Sequence, residues 1–114
     1  MQLFPLGREG CTVRVAARII LGIDPGLAHT GWGVIEQRGS RLSCLAYGCI
    51  TTTPCTELSQ RLAKICEQIN AVSQRFEPSC VGIETVWFGA NTQSAFATGQ
   101  ARGAALVACA EGDL

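Results

Sequence analysis

No apolar run in this 114-residue chain approaches the eighteen or so residues that a membrane-spanning helix requires. The opening MQLFPLGREG is broken by Pro5, Gly7, Arg8 and Glu9, so it also lacks the continuous apolar centre of a signal peptide. Excess charge of either sign is missing too. Nine basic and nine acidic side chains cancel and form no blocks, so composition alone carries no nucleic-acid footprint. There is one histidine, and the seven cysteines, at 11, 44, 49, 55, 66, 80 and 109, include no Cys-x-x-Cys pair, which excludes a zinc finger. They read as small reduced residues of a cytoplasmic protein. Low-complexity tracts and internal repeats are absent. What remains plentiful is apolar side chain, 47% of the chain, enough for the core of one globular domain.

The character of the sequence changes at Arg18. Residues 1–17 hold no sustained periodicity and are expected to form an unstructured, dispensable leader, with the folded domain spanning 18–114. From Ile19 to Ile23 every residue is apolar or glycine, the pattern of a strand buried on both faces and therefore central in its sheet. Thr30 to Gln37 and Arg41 to Thr52, separated by Gly39-Ser40, complete an antiparallel meander. Next, Leu58, Leu62, Ile65, Ile69, Val72 and Phe76 recur at steps of four and three, which predicts an amphipathic helix ended by Pro78. Cys80 to Glu84 is a second buried strand. A final helix begins after Asn91, with Phe96, Gly99, Gly103, Leu106, Val107 and Ala110 on one face. The order is that of an α/β protein whose CVGIE strand runs parallel to the first.

Two strands thus end on carboxylates, Asp24 and Glu84. If the strands are neighbours they lie roughly 4.8 Å apart, with alternate residues pointing to the same face. Ile20, Gly22 and Asp24 then share a face with Cys80, Gly82 and Glu84, and the two acids converge above small residues. Like charges that close call for a cation between them, and hard oxygen donors favour magnesium. The carboxyl ends of strands are also where open α/β sheets place their ligands. Each acid taken alone is equally compatible with a solvated turn residue. His29 in the following loop and Trp32 between two glycines read respectively as solvated and as core, and Gly31 and Gly33 lack the spacing of a dinucleotide-binding loop.

The segments IILGIDPGLAHTGWGVI, GIETVWF and SAFATGQARGAAL, in this order around a meander, resemble the RuvC family of Holliday junction resolvases. The resemblance runs from about Arg18 to Leu114. It implies an RNase H-like fold, a mixed sheet in which a three-strand antiparallel meander and a parallel strand are flanked by helices. It also implies magnesium-dependent nicking of four-way DNA junctions in recombination and repair. Asp24 and Glu84 match the first two catalytic, metal-binding carboxylates of the family. Trp87, Phe88 and Asn91 fall where the resemblance implies contact with DNA. Further partners implied are a second copy of the chain, through the helix from Asn91 to about Ala110, and the branch-migration proteins RuvA and RuvB. A complete family member holds two magnesium ions with two further acids on a later helix. Glu111 and Asp113 lie too far along the last helix to replace them, because that helix is expected to start beside Glu84 and to run roughly 30 Å away at 1.5 Å per residue.

The chain is accordingly expected to be a C-terminally incomplete N-terminal part of the nuclease domain, inactive alone, with the edge of the Glu84 strand left open. Arg102, within GQARG, is expected to face solvent or a partner subunit. Two other classes share features with this pattern. A lobe of an actin-like or sugar-kinase ATPase also begins with strand, Asp, glycine turn and second strand, and would bind nucleotide. A non-catalytic dimerising or DNA-structure-binding module would bind a four-way junction without cutting it.

Overall fold

The computed structural model describes residues 2–5, 17–85 and 92–111. Five strands and two helices follow one another as β1 (Gln2–Pro5), β2 (Ala17–Asp24), β3 (His29–Arg38), β4 (Arg41–Thr51), α1 (Leu58–Phe76), β5 (Cys80–Ile83) and α2 (Thr92–Glu111). One sheet contains all the strands in the order β1-β5-β2-β3-β4. β2, β3 and β4 form the antiparallel meander, with a bulge at Val34/Ile35. β5 joins β2 in parallel, so the apolar run at Leu21 and Ile23 has a strand on either side and is fully covered.

Both helices contribute to one core. Leu21, Ile23, Val34, Ile50, Val81 and Ile83 from the sheet meet Ile65 and Ile69 of α1 and Ala101, Ala105, Ala108 and Cys109 of α2. α1 supplies branched side chains at its expected inward positions, although Leu58 at its start remains exposed. α2 supplies small ones, which let its backbone approach closely. α1 ends where Glu77 turns into the left-handed region at φ 47° and donates its N–H to the Ser73 carbonyl at 2.9 Å. Pro78 follows, buried, and prevents another turn.

One expectation needs correction. Within the supposed leader, Gln2–Pro5 is a strand that pairs antiparallel with β5, Leu3 opposite Gly82 and Pro5 opposite Cys80. The β5 edge expected to be open is therefore occupied. A free row of backbone donors and acceptors is a template for any available extended segment. Four residues are too few to display a period, and proline is tolerated at a sheet edge, so the pattern gave no warning.

Two glycines are required by close approach. A Cβ on Gly48 would lie 2.8 Å from the ring of Trp32, the residue paired with it on β3. The indole lies across that bare backbone and packs against the core, as its sequence context suggested. A Cβ on Gly26 would lie 2.4 Å from the carbonyl oxygen of His29, so the turn after Asp24 closes only with glycine there.

Candidate metal centre

The parallel register decides where the two acids stand. Ile20 faces Cys80, Gly22 faces Gly82 and Ile23 faces Ile83. The Glu84 N–H donates to the Ile23 carbonyl at 3.2 Å, which extends the pairing by one residue and sets Glu84 beside Asp24. Leu21 and Ile23 point into the core, so Ile20, Gly22 and Asp24 point to the opposite face, with Glu84 next to them. Asp24 is exposed and Glu84 is partly buried.

The floor beneath them is wider than the sequence suggested. Gly22 pairs with Gly82 on one side and with Gly33 on the other, a row of three glycines across three strands. Gly31 pairs with Asp24 itself. Nothing bulky therefore rises between the carboxylates and the sheet. In the sequence the β3 glycines flanking Trp32 suggest only an incomplete nucleotide loop; the pairing register shows their place beneath the carboxylates.

The loop from Asp24 to β3 is held from three directions. Thr30, fully buried, donates its hydroxyl to the Gly26 carbonyl at 2.6 Å and accepts the Gly26 N–H at 3.3 Å. Thr52 donates its hydroxyl to the Leu27 carbonyl at 2.5 Å and its N–H to the Ala28 carbonyl at 3.0 Å. Arg61 of α1 donates Nε to the Thr52 hydroxyl at 2.8 Å, and Lys64 caps the Thr51 carbonyl at 2.7 Å. None of these polar residues was singled out from sequence, because their partners lie on other elements.

Arg102 corrects a second expectation. It is partly buried, donating Nε to the Glu84 carbonyl at 3.1 Å and a terminal NH2 to the Gln2 side chain. The middle of α2, rather than its first turn, therefore lies against Glu84. His29 is exposed at the start of β3. Trp87, Phe88, Asn91 and Asp113 lie outside the described residues. Glu111 is exposed and close enough to Cys66 of α1 to act on its thiol, which burial first and this carboxylate second hold above the ordinary value.

Among the described residues no group of three or more histidine, cysteine, aspartate or glutamate side chains converges. The centre offers two donors, and neither carboxylate group is engaged by a hydrogen bond or ion pair among the described residues, whose one ion pair is Arg38 to Glu36. That donor set fits magnesium, which is characteristically bound by one or two carboxylates, its other positions left to water and substrate phosphate.

A meander, a parallel fourth strand, and acids at the carboxyl ends of the two parallel neighbours define an RNase H-like protein. The chain belongs to the RuvC family, whose model, described as Crossover junction endodeoxyribonuclease RuvC, matches residues 20–114. A relative of that name from Hyphomonas neptunium is 47% identical over 91 residues, covering 80% of this chain and 54% of its own. Another from Treponema denticola is 41% identical over 93 residues, covering 82% and 52%. The fold is similar to that of Thermus thermophilus RuvC in complex with Holliday junction substrate, with a TM-score of 0.79 at 32% identity, covering 83% of this chain and 58% of that one. A second Thermus thermophilus RuvC structure gives a TM-score of 0.76, also at 32% identity, covering 84% and 60%. The chain thus spans between 52% and 60% of the length of these relatives. Among the described residues no helix is long and apolar enough to cross a membrane.

Proposed function

We propose that this chain forms the N-terminal part of a cytoplasmic Holliday junction resolvase, in which Asp24 and Glu84 bind magnesium for hydrolysis of a phosphodiester at a four-way junction. The observation that carries this is the placement of the two carboxylates side by side, on one face, with no hydrogen-bond or ion-pair partner among the described residues. Bound there, a divalent ion supplies Lewis acidity toward a phosphodiester oxygen. The chain's own contribution is to hold two negative groups at fixed positions over a glycine floor that lets substrate backbone approach. Trp87 and Phe88, with Asn91, are assigned to the junction's unpaired bases, to which aromatic faces offer stacking surfaces.

A second copy of the chain is assigned to α2. Its outward face shows Phe96 at 69% exposure and Val107 at 52%, with the exposed Gly103 between them. A shallow depression lined by Gln93, Phe96, Ala97 and Gln100 opens on the same face. RuvA and RuvB are the branch-migration partners that family membership supplies to this reading.

The test is cleavage. A chain in which these 114 residues are joined to the C-terminal part of a RuvC relative is expected to nick four-way junctions with magnesium, and Asp24→Asn or Glu84→Gln to abolish nicking. The 114 residues alone are expected to cut negligibly, having two carboxylates. Cleavage that survives either substitution, or strong cutting by the 114 residues alone, overturns the assignment. Binding without cutting by the completed chain would favour a non-catalytic junction-binding module.

A further inference from the structure

We propose that two arginines, Arg61 from α1 and Arg102 from α2, are positioning residues that set the gap between Asp24 and Glu84, and so govern divalent-ion affinity without touching the ion. The proposal rests on the reading of these two acids as a metal centre. Each carboxylate sits at the end of a strand, where the ladder that holds the backbone stops. At each of these ends a guanidinium from a different helix takes over.

On the Glu84 side the tie is direct. The Glu84 N–H is the last rung between β5 and β2, and its carbonyl points to Arg102 Nε at 3.1 Å. On the Asp24 side the tie has one relay. Arg61 Nε reaches the Thr52 hydroxyl at 2.8 Å, and that hydroxyl, its lone pair engaged, donates to the Leu27 carbonyl at 2.5 Å, three residues beyond Asp24. Thr52 is 9% exposed, so water cannot readily substitute for either bond. Arginine suits both places because its planar, permanently charged fork fixes direction as well as distance. Both guanidiniums bond neutral oxygens rather than the carboxylates, whose charge is left for an ion.

The sign of the expected effect separates this role from a merely electrostatic one. Removing a positive charge near a cation site would, through Coulomb's law alone, tighten cation binding. Loss of a positioning tie weakens it. The probe is Mn2+ alone, titrated into the 114-residue chain and followed by electron paramagnetic resonance, with folding checked by circular dichroism. Asp24→Asn is expected to abolish binding, and if it does not, the metal centre itself is misassigned. Given that result, Arg102→Met and the uncharged relay variant Thr52→Val are each expected to weaken Mn2+ binding about tenfold, the low end of what loss of an outer-shell contact costs. Thr52→Ser should restore it. Gln2→Ala, which removes only the other partner of Arg102 among the described residues, should leave affinity unchanged.

If Arg102→Met does not fold, Arg102→Lys is used, and a folded Lys variant with unchanged affinity overturns the proposal. So do tighter binding in Arg102→Met, wild-type affinity in Thr52→Val, or an equal loss in Gln2→Ala. The last would show that Arg102 acts by holding β1.

Discussion

At the scale of single residues, one position on α1 and one at its C-terminal cap carry an avoidable cost. Ser73 is fully buried and its hydroxyl has no hydrogen-bond partner among the described residues, an arrangement that costs about 1–3 kcal/mol relative to a satisfied group. Ser73→Ala is therefore expected to raise the melting temperature, by an amount corresponding to about 1 kcal/mol, and calorimetry would read it directly. Four residues on, Glu77 holds a left-handed backbone at φ 47° with a Cβ that disfavours it. Glu77→Gly is expected to stabilise by about 1 kcal/mol, because glycine is the usual residue at a left-handed helix cap. Gly48→Ala should act oppositely, since the new methyl would displace the Trp32 ring, and a fall in melting temperature with a change in tryptophan fluorescence would report it.

The same scale shows what the sequence made legible. Asp24 and Glu84 stood out because each closes an apolar strand two residues after a glycine, a pattern confined to a few adjacent positions. Thr30, Thr52 and Arg102 act through carbonyls outside their own elements, at Gly26, Leu27 and Glu84, and Arg61 acts through the Thr52 hydroxyl. A hydroxyl or guanidinium in a linear chain carries no mark of the carbonyl it will meet, so these roles could be read only after folding.

At the scale of elements, the meander, α1 and the parallel strand were foreseeable because hydrophobic period reports burial. α2 was foreseeable as a helix, but it turns its Phe96 and Val107 face outward and buries Ala101, Ala105 and Ala108 instead. β1 was not foreseeable, since its place is determined by the vacancy beside β5 rather than by any pattern of its own. Removing residues 1–5 should thus destabilise the chain rather than leave it unchanged. It should also expose the β5 edge, and sedimentation velocity is expected to show association to species larger than the whole chain forms. The contact of α1 with α2 has a pH signature. Burial and Glu111 raise the Cys66 thiol, so the folded chain retains a proton that the unfolded chain releases first. Stability is expected to fall as pH rises from the ordinary thiol value through the raised one. The part of that fall lost in Cys66→Ala measures the contribution of this group.

For the whole molecule, one face of the sheet is core and the other bears the acids, while α2 links the two by holding Glu84 from beneath and presenting Phe96 and Val107 outward. An outward apolar face of this kind is expected to make the chain dimerise. Phe96→Asp should shift its sedimentation toward monomer while leaving the circular dichroism spectrum intact.

The pairing of β1 with β5 also imposes an order of events. The hairpins linking β2, β3 and β4 join near neighbours in the chain, and such local contacts form early. Leu3 meets Gly82 only after α1 has crossed over and laid β5 against β2. By then eleven residues, 6–16, separate β1 from the assembled sheet, and the return for ordering β1 is four residue pairs at an edge. β1 should accordingly be the last strand to dock and the first to leave. During synthesis it is made long before its partner exists, and waits unpaired until the rest of the sheet has been assembled.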